Sequence, residues 1–256
     1  MKQQQGYTLI EIMISLLIGL IILGATINIY VGTVGSSANT IKSARLNHDL
    51  ESVMTLMVND IKRAGYWGGA IVNPGDGTHD CTNPTTGTGK PCDNPFTQAA
   101  TNIQIPSNDC ILYSYDADDS GKNTIRNATD DVDANEFYGF KLVNNSISIR
   151  KTGSTTADCT NGTWEDFIDS NLLTITSLQF SFSPVVGVLP ATSRCFNAST
   201  NTTTNAAACA GAVAGNYIAE KRIVNIQLTG QVKNDTTTKT LNATVVVRNN
   251  RLYTQP

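Results

Sequence analysis

The sequence is poor in the residues on which most catalytic and metal sites depend. It has only two histidines, His48 and His79, so a three-histidine metal site is excluded. The six cysteines include no C-x-x-C pair of the kind found in zinc ribbons. A P-loop, a G-x-S-x-G turn and an H-E-x-x-H helix are also missing. These absences predict that the protein is not an enzyme.

Charge is also scarce, and it shows no positive excess. Charged residues make up 15% of the chain, with 18 Lys and Arg against 21 Asp and Glu, which gives a net charge of −3. Nucleic-acid binding draws most of its affinity from a basic face. The charge balance therefore argues against direct binding of nucleic acid.

The longest stretch without charge covers the thirty residues between Glu11 and Lys42. Ile12–Val34 is strongly apolar within it, and about 20 such residues allow a helix to cross a bilayer. A buried core helix and a cleaved secretory signal are the alternatives. A secretory signal, however, has an apolar region of about 7–15 residues followed by an A-x-A-like site. With Lys2 ahead of the run, the positive-inside tendency leaves the N-terminus in the cytoplasm and the rest of the chain outside.

Residues 1–11 read MKQQQGYTLIE, a short polar leader with a lysine, then a glycine, an aromatic residue and a glutamate. This order, followed by the apolar run, resembles the processing site of type IV prepilins and type II pseudopilins. The resemblance implies that a prepilin peptidase cleaves after Gly6 and that the new N-terminus, Tyr7, is N-methylated. Glu11 matches the acid at the fifth position of the mature chains. Tyr7 departs from the usual Phe but keeps its aromatic character.

Glu11 places a carboxylate at the edge of the apolar run, where an unpaired charge is costly. An acid in the first turn of a helix complements the helix dipole, but that contributes only about 0.3–1 kcal/mol. The resemblance implies a better partner, the positive amino terminus of a neighbouring subunit. We therefore expect Glu11 to act in assembly.

The helix is predicted to continue past the apolar run, from about Tyr7 to Ala64. Apolar residues recur there with helical spacing, and Gly65 follows as a stop signal. Major pilins carry a proline in the middle of the membrane half. This chain has Asn28 at that position, which favours a minor subunit or a pseudopilin. The periodic apolar residues are Leu50, Val53, Met54, Met57, Val58, Ile61 and Ala64.

The rest of the chain alternates strand-like segments with loops rich in Gly, Pro, Thr and Asn. Asn144–Asn145 predicts a tight hairpin, and Asn234–Thr238 predicts a second one. Residues 65–102 and 196–210 are expected to form surface loops. Together with the long helix, these segments predict an α+β fold. The predicted strands are Cys110–Tyr115, Glu136–Val143, Ser146–Lys151, Leu172–Ser183, Lys221–Lys233 and Lys239–Asn249.

Four segments resemble the PilW family of minor pilins. They are DIKRAGYWGG at 60–69, NEFYGFKLV at 135–143, CTNGTW at 159–164 and VVVRN at 245–249. The resemblance implies a type IV pilin-like fold, in which a long N-terminal helix packs on an antiparallel β-sheet. It also implies a place in a minor-pilin complex that starts pilus assembly and lies near the tip.

All six cysteines follow the apolar run and would lie in the periplasm, where disulfides persist. The sequence alone does not fix their pairing. We expect Cys81–Cys92, Cys110–Cys159 and Cys195–Cys209, because the first and third bridges would tie down loops with few apolar residues. Free thiols and a metal site are the alternatives.

An acidic segment at 116–136 follows the first half of a calcium-loop pattern. The twelfth position of that pattern is Asn127 rather than the bidentate Glu. The favoured interpretation is therefore a polar loop without a cofactor, and bound calcium is the alternative. The candidate ligands are Asp116, Asp118 and Ser120, with Glu136 or Asp130 as additional ones.

The expected function is structural, that of a minor pilin that helps to initiate type IV pilus assembly and so supports twitching motility. Its partners would be other minor pilins, the major pilin and the prepilin peptidase. Before assembly it would be a single-pass inner-membrane protein with a periplasmic C-terminal domain. The alternatives are a J-type pseudopilin of a type II secretion system and a tip receptor that binds a surface or DNA through residues 70–102 and 196–210. The expected segments are a leader (1–6), the transmembrane and assembly half of the helix (7–35), its amphipathic half (36–64) and a β-rich periplasmic domain (65–256).

Overall fold

The computed structural model describes residues 6–68, 94–117, 132–168, 173–182, 193–205, 211–232 and 237–254. Its internal contacts divide the chain into two units, Met1–Arg45 and Leu46–Pro256. The described part of the first unit is helical from Leu9 onward. The second unit, which we call the β-rich unit, contains the end of that helix and the described strands.

A single long helix, α1, runs from Leu9 to Ile61. Every side chain from Leu9 to Arg45 is exposed, including the whole apolar run. The helix is long and apolar enough to cross a membrane, by length and composition. From Leu46 onward one face of the helix is buried in the β-rich unit, and the chain leaves the helix through a turn that ends at Gly65.

The first sheet is an antiparallel meander in the order β1-β2-β3-β4-β5. β3 and β4 are joined by the predicted tight hairpin, in which Val143 pairs with Ser146. Asn144 and Asn145 have φ values of 49° and 61°, a left-handed conformation that asparagine adopts more readily than most residues. The strands are β1 (Gln104–Ser107), β2 (Cys110–Ser114), β3 (Phe137–Val143), β4 (Ser146–Thr152) and β5 (Thr163–Asp166).

The other strands form two more antiparallel sheets, in the orders β11-β10-β6 and β12-β9-β7-β8. In β10, Val224, Ile226 and Leu228 are buried, while Asn225 and Gln227 between them are not. This is the two-residue period of a half-buried strand. The strands are β6 (Leu173–Phe182), β7 (Arg194–Asn197), β8 (Thr202–Thr204), β9 (Tyr217–Lys221), β10 (Ile223–Val232), β11 (Thr238–Val246) and β12 (Arg251–Thr254).

The core of the β-rich unit joins the buried face of α1 to the first two sheets. Leu50, Met57 and Ile61 are fully buried, so Met57 fills the core as its helical spacing predicts. A Cβ on Gly230 of β10 would lie 2.9 Å from Leu50 Cδ2, so the glycine gives the helix room to approach the sheet. Truncating a core side chain such as Leu50 to alanine typically costs about 2–5 kcal/mol.

The six predicted strands are confirmed as β2, β3, β4, β6, β10 and β11, and the strands of both predicted hairpins pair as expected. The remaining six strands span three to five residues, too short for a clear alternation. The prediction of a loop at 196–210 is wrong at β7 and β8, which pair with each other. Of the loop predicted at 65–102, residues 69–93 lie outside the described residues.

Candidate functional site

The predicted cleavage site lies immediately ahead of α1. Gly6, Tyr7 and Thr8 are not helical, and the carbonyl of Thr8 accepts the first helical hydrogen bonds, from the backbone N–H groups of Glu11 (3.1 Å) and Ile12 (3.3 Å). Tyr7 is 82% exposed. A Cβ on Gly6 would have no atom of the described residues within 4 Å, so no contact with them requires a glycine there. The described residues leave both Gly6 and Tyr7 exposed.

Glu11 lies in the first turn of α1 with its side chain exposed, and no ion pair joins it to another described residue. The polar side chains farther along the apolar run bond to their own helix. Ser15 Oγ donates to the carbonyl of Glu11 (2.7 Å), and Asn28 Nδ2 donates to that of Gly24 (3.0 Å). Such back-bonding lets hydroxyl and amide groups enter lipid at low cost. The Glu11 carboxylate, at the edge of the run, is the charged group there that no described residue pairs with.

The turn that follows α1 is held by the C-terminal VVVRN segment. Asn249 Nδ2 donates to the carbonyls of Arg63 (3.3 Å) and Ala64 (3.2 Å), and the backbone N–H of Arg248 donates to the carbonyl of Lys62 (3.2 Å). These carbonyls belong to the turn that follows Ile61, beyond the hydrogen bonds of the helix itself. The chain satisfies them with residues almost 190 positions away.

A tyrosine cluster holds the last turns of α1 against β2 and β3. Tyr113 Oη and Tyr115 Oη donate to the two carboxylate oxygens of Asp60, at 2.6 and 2.8 Å. Arg63 lies 4.1 Å above the Tyr115 ring, which stacks on Tyr138 with ring centroids 4.0 Å apart. Burial first, and then the Asp60 charge, raise the pKa of Tyr113 and the pKa of Tyr115 well above the ordinary value. Both hydroxyls are therefore protonated donors at physiological pH.

The predicted disulfide between Cys110 of β2 and Cys159 is confirmed. It brings the CTNGTW segment next to β3. Lys141 of β3 donates to the carbonyl of Cys159 (3.1 Å), and its ammonium lies 4.1 Å from the centroid of the Trp164 ring. The disulfide, the hydrogen bond and the cation–π contact together fix the loop before β5 against the sheet.

Arg150 of β4 is fully buried and shapes the same loop. It donates to the carbonyls of Thr152 (3.1 Å) and Thr155 (2.7 Å) and to Asn161 Oδ1 (2.6 Å). A Cβ on Gly153 would lie 2.2 Å from Arg150 Nη2, so the close approach of the guanidinium requires glycine there. The guanidinium acts as a scaffold for the loop backbone.

The other predicted site residues are only partly described. Cys195 is disulfide-bonded, whereas Cys81, Cys92 and Cys209 lie outside the described residues, so the pairings Cys81–Cys92 and Cys195–Cys209 stay predictions. Asp118 and Ser120 of the proposed calcium loop also lie outside them. Within the described ranges, no group of three or more His, Cys, Asp or Glu side chains could hold a metal ion.

The structure joins the four segments that carry the resemblance to minor pilins in two pairs. The helix end in DIKRAGYWGG meets VVVRN through Asn249, and NEFYGFKLV meets CTNGTW through Lys141. Sequence reasoning missed the roles of Asn249, Arg150 and the Asp60–tyrosine cluster. The segments themselves were the available signal for Asp60 and Asn249, which they contain, but no spacing rule states which segments will touch.

Comparison with protein families gives two matches. The prokaryotic N-terminal methylation motif matches residues 1–27, and the family described as prepilin peptidase-dependent protein B, PpdB, matches residues 39–247. Neither the curated proteins nor the solved structures contain a match to this chain. The matches support prepilin-type processing, and the finer resemblance to PilW stays a prediction. The chain belongs to the family of prepilin peptidase-dependent protein B and is a type IV pilin-like protein with a prepilin-type N-terminus.

Proposed function

We propose that the protein is a minor pilin of a type IV pilus, which takes part in the initiation of assembly at or near the tip. The observation that carries the proposal is the prepilin motif at Gly6–Tyr7 followed by an apolar helical surface that the chain itself leaves exposed. Such an apolar surface would be covered by lipid before assembly and by the helices of other subunits afterwards. The protein would have no catalytic activity of its own.

Cleavage would create the charge that Glu11 needs. Removal of residues 1–6 leaves an amino group on Tyr7 that stays positively charged after N-methylation. In an assembly, the Tyr7 amine of one subunit would pair with the Glu11 carboxylate of the next. The pair would offset the cost of a lone charge in hydrocarbon, about 2.5–3.5 kcal/mol at the membrane centre and less at its edge.

The proposed segments are those expected from the sequence. Residues 7–35 would insert in the inner membrane and later pack in the pilus, 36–64 would form the amphipathic part of the helix, and 65–256 would lie in the periplasm. The Cys110–Cys159 disulfide is compatible with that oxidising compartment. Asn28 at the position of the proline of major pilins favours a minor subunit or a pseudopilin over the major pilin.

A J-type pseudopilin of a type II secretion system is the second candidate, because it would share the processing site and the exposed helix. A deletion strain separates the two. Loss of pili and of twitching, restored by the wild-type gene, supports the minor pilin. Loss of exoprotein secretion with normal pili supports the pseudopilin.

Glu11→Ala tests the assembly step in the same strain. We expect the variant to be cleaved and stable but to restore few pili and to co-purify poorly with other minor pilins. Glu51→Ala is the matched control, because Glu51 is an exposed carboxylate on the same helix outside the apolar run. Full complementation by Glu11→Ala would show that the pair with Tyr7 is dispensable, as it would be for a subunit with nothing ahead of it.

A tip receptor is a further possibility, and it makes a different demand on the same strain. A receptor could be lost without loss of pili, whereas an initiating subunit could not. Normal pilus number in the deletion strain, combined with failure to bind a surface or take up DNA, would favour the receptor over the assembly role.

A further inference from the structure

Two buried carboxylates stand at the two ends of the acidic segment 116–136. Asp116 follows β2 with only Tyr115 between them, and Glu136 directly precedes β3. Their exposed fractions are only 1% and 2%. Acidic side chains are almost never buried to this degree without a partner that neutralises them.

Each carboxylate is held in place through one of its two oxygens. Asp116 Oδ2 accepts the backbone N–H of Gly68 (3.0 Å), and Glu136 Oε2 accepts that of Asp133 (2.8 Å). The backbone N–H of Ala117 also donates to the Glu136 carboxylate. These bonds orient the two carboxylates and do not involve the second oxygen of either group.

The two carboxylates are close neighbours. Glu136 bonds to the residues on both sides of Asp116, since its backbone carbonyl accepts from Tyr115 N (3.3 Å) and its side chain accepts from Ala117 N. Burial raises the pKa of Glu136, and the charge of Asp116 is among the further causes that raise it. The two negative charges thus act on each other in a buried place.

The free oxygens, Asp116 Oδ1 and Glu136 Oε1, have no hydrogen-bond partner. Among the described residues only one other buried side-chain atom is in this state, Trp164 Nε1. Two of the three such atoms are therefore carboxylate oxygens at the two ends of one acidic segment. No ion pair joins either carboxylate to a described lysine or arginine.

We propose that Asp116 and Glu136 bind a calcium-like divalent cation through Oδ1 and Oε1. Hard cations of this class take oxygen ligands, about 6–8 for calcium, so water would complete the shell. The cation would join the Gly68 turn to the start of β3, next to the Tyr115–Tyr138 stack.

Calcium binding to the full chain in detergent tests the proposal directly. We expect one Ca²⁺ per chain by equilibrium dialysis, with an affinity of about 0.1–1 mM, as in other extracellular modules. At 100 times the dissociation constant, the melting temperature should rise by about 5–10 °C for a unit of this size, and Mg²⁺ should raise it much less. Tb³⁺ bound in place of Ca²⁺ should emit when the neighbouring tyrosines are excited.

Charge-removing variants assign the site. Asp116→Asn and Glu136→Gln keep the shape and an acceptor for the backbone N–H groups, and each should weaken calcium binding at least tenfold. Glu165→Gln is the matched control, because Glu165 is an exposed carboxylate on β5 of the same sheet. The calcium affinity of this variant should equal that of the wild type.

Two results would overturn the proposal. The first is the absence of bound Ca²⁺ in the wild-type chain at about 10 mM, well above the dissociation constants of extracellular modules. The second is equal calcium affinity in Asp116→Asn and the wild type. If the variants do not fold, the dialysis and Tb³⁺ measurements on the wild type decide the matter alone, since neither needs a variant.

Discussion

Asp60 is predicted to be the residue that contributes most to fixing the helix end on the first sheet. Its carboxylate accepts hydrogen bonds from Tyr113 and Tyr115, and hydrogen bonds to a charged group contribute about 1.5–3 kcal/mol each. The Asp60 side chain is 23% exposed, which lowers the sum, so we expect Asp60→Ala to cost about 2–4 kcal/mol. Much of that cost is the desolvated hydroxyl of Tyr113, which is fully buried.

The double variant isolates this interaction. In Tyr113→Phe the ring stays and the hydroxyl goes, so the second substitution should cost much less in the Asp60→Ala background than in the wild type. We expect a coupling free energy of about 1–3 kcal/mol. The measurement is the free energy of unfolding in urea, followed by circular dichroism, with Glu51→Ala as the helix control. An Asp60→Ala variant within about 0.5 kcal/mol of the wild type, or strict additivity in the double variant, would refute the reasoning.

Three further predictions concern stability of the β-rich unit. Gly65→Ala should cost about 1–2 kcal/mol, because Gly65 has a φ of +74° and its Cβ would lie 3.1 Å from Thr97 Cγ2. Gly211→Ala, with a φ of +75° and nothing within 4 Å, should show the backbone part of that cost alone, so equal losses would exclude the contact with Thr97. Replacing Cys110 and Cys159 together by serine should cost about 4 kcal/mol, from a loop with a sequence separation of 49, and a loss under about 1 kcal/mol in urea unfolding would contradict this. Because the pKa values of Tyr113 and Tyr115 are raised in the folded state, their contribution to the free energy of unfolding is complete below pH ~10, the unfolded pKa, and falls as the pH rises beyond it. Tyr113→Phe should make this fall less steep. An unchanged dependence of stability on pH in the variant would contradict the buried neutral hydroxyl.

The features that sequence predicted well are local ones. The prepilin-type motif, which the family comparison matches, begins within eleven consecutive residues, so its order is visible without a fold. The buried face of α1 repeats with the helical period, and Leu50, Met57 and Ile61 are buried as that period requires. The hairpin at Asn144–Asn145 also follows from a local rule, because the turn residues and the alternating strands adjoin.

The features that sequence missed depend on contacts between distant residues. Asn249 bonds to the turn after α1 across 185 positions, and Tyr115 reaches Asp60 across 55. Neither pairing leaves a periodic pattern in the chain. Strands such as β8, with three residues, are stabilised by their neighbours rather than by their own composition. Arg150 would have been assigned to the surface from its type alone, and only its three acceptors explain its burial.

The N-terminus of the protein taken from cell membranes tests the central claim most directly. Mass spectrometry of the intact chain should show the loss of residues 1–6 and a methylated Tyr7 at the new terminus, in cells with an active prepilin peptidase. In cells that lack the peptidase, the chain should keep its first six residues. An unprocessed chain that begins at Met1 in peptidase-positive cells would contradict the assignment as a prepilin-type subunit, and with it the role proposed for Glu11.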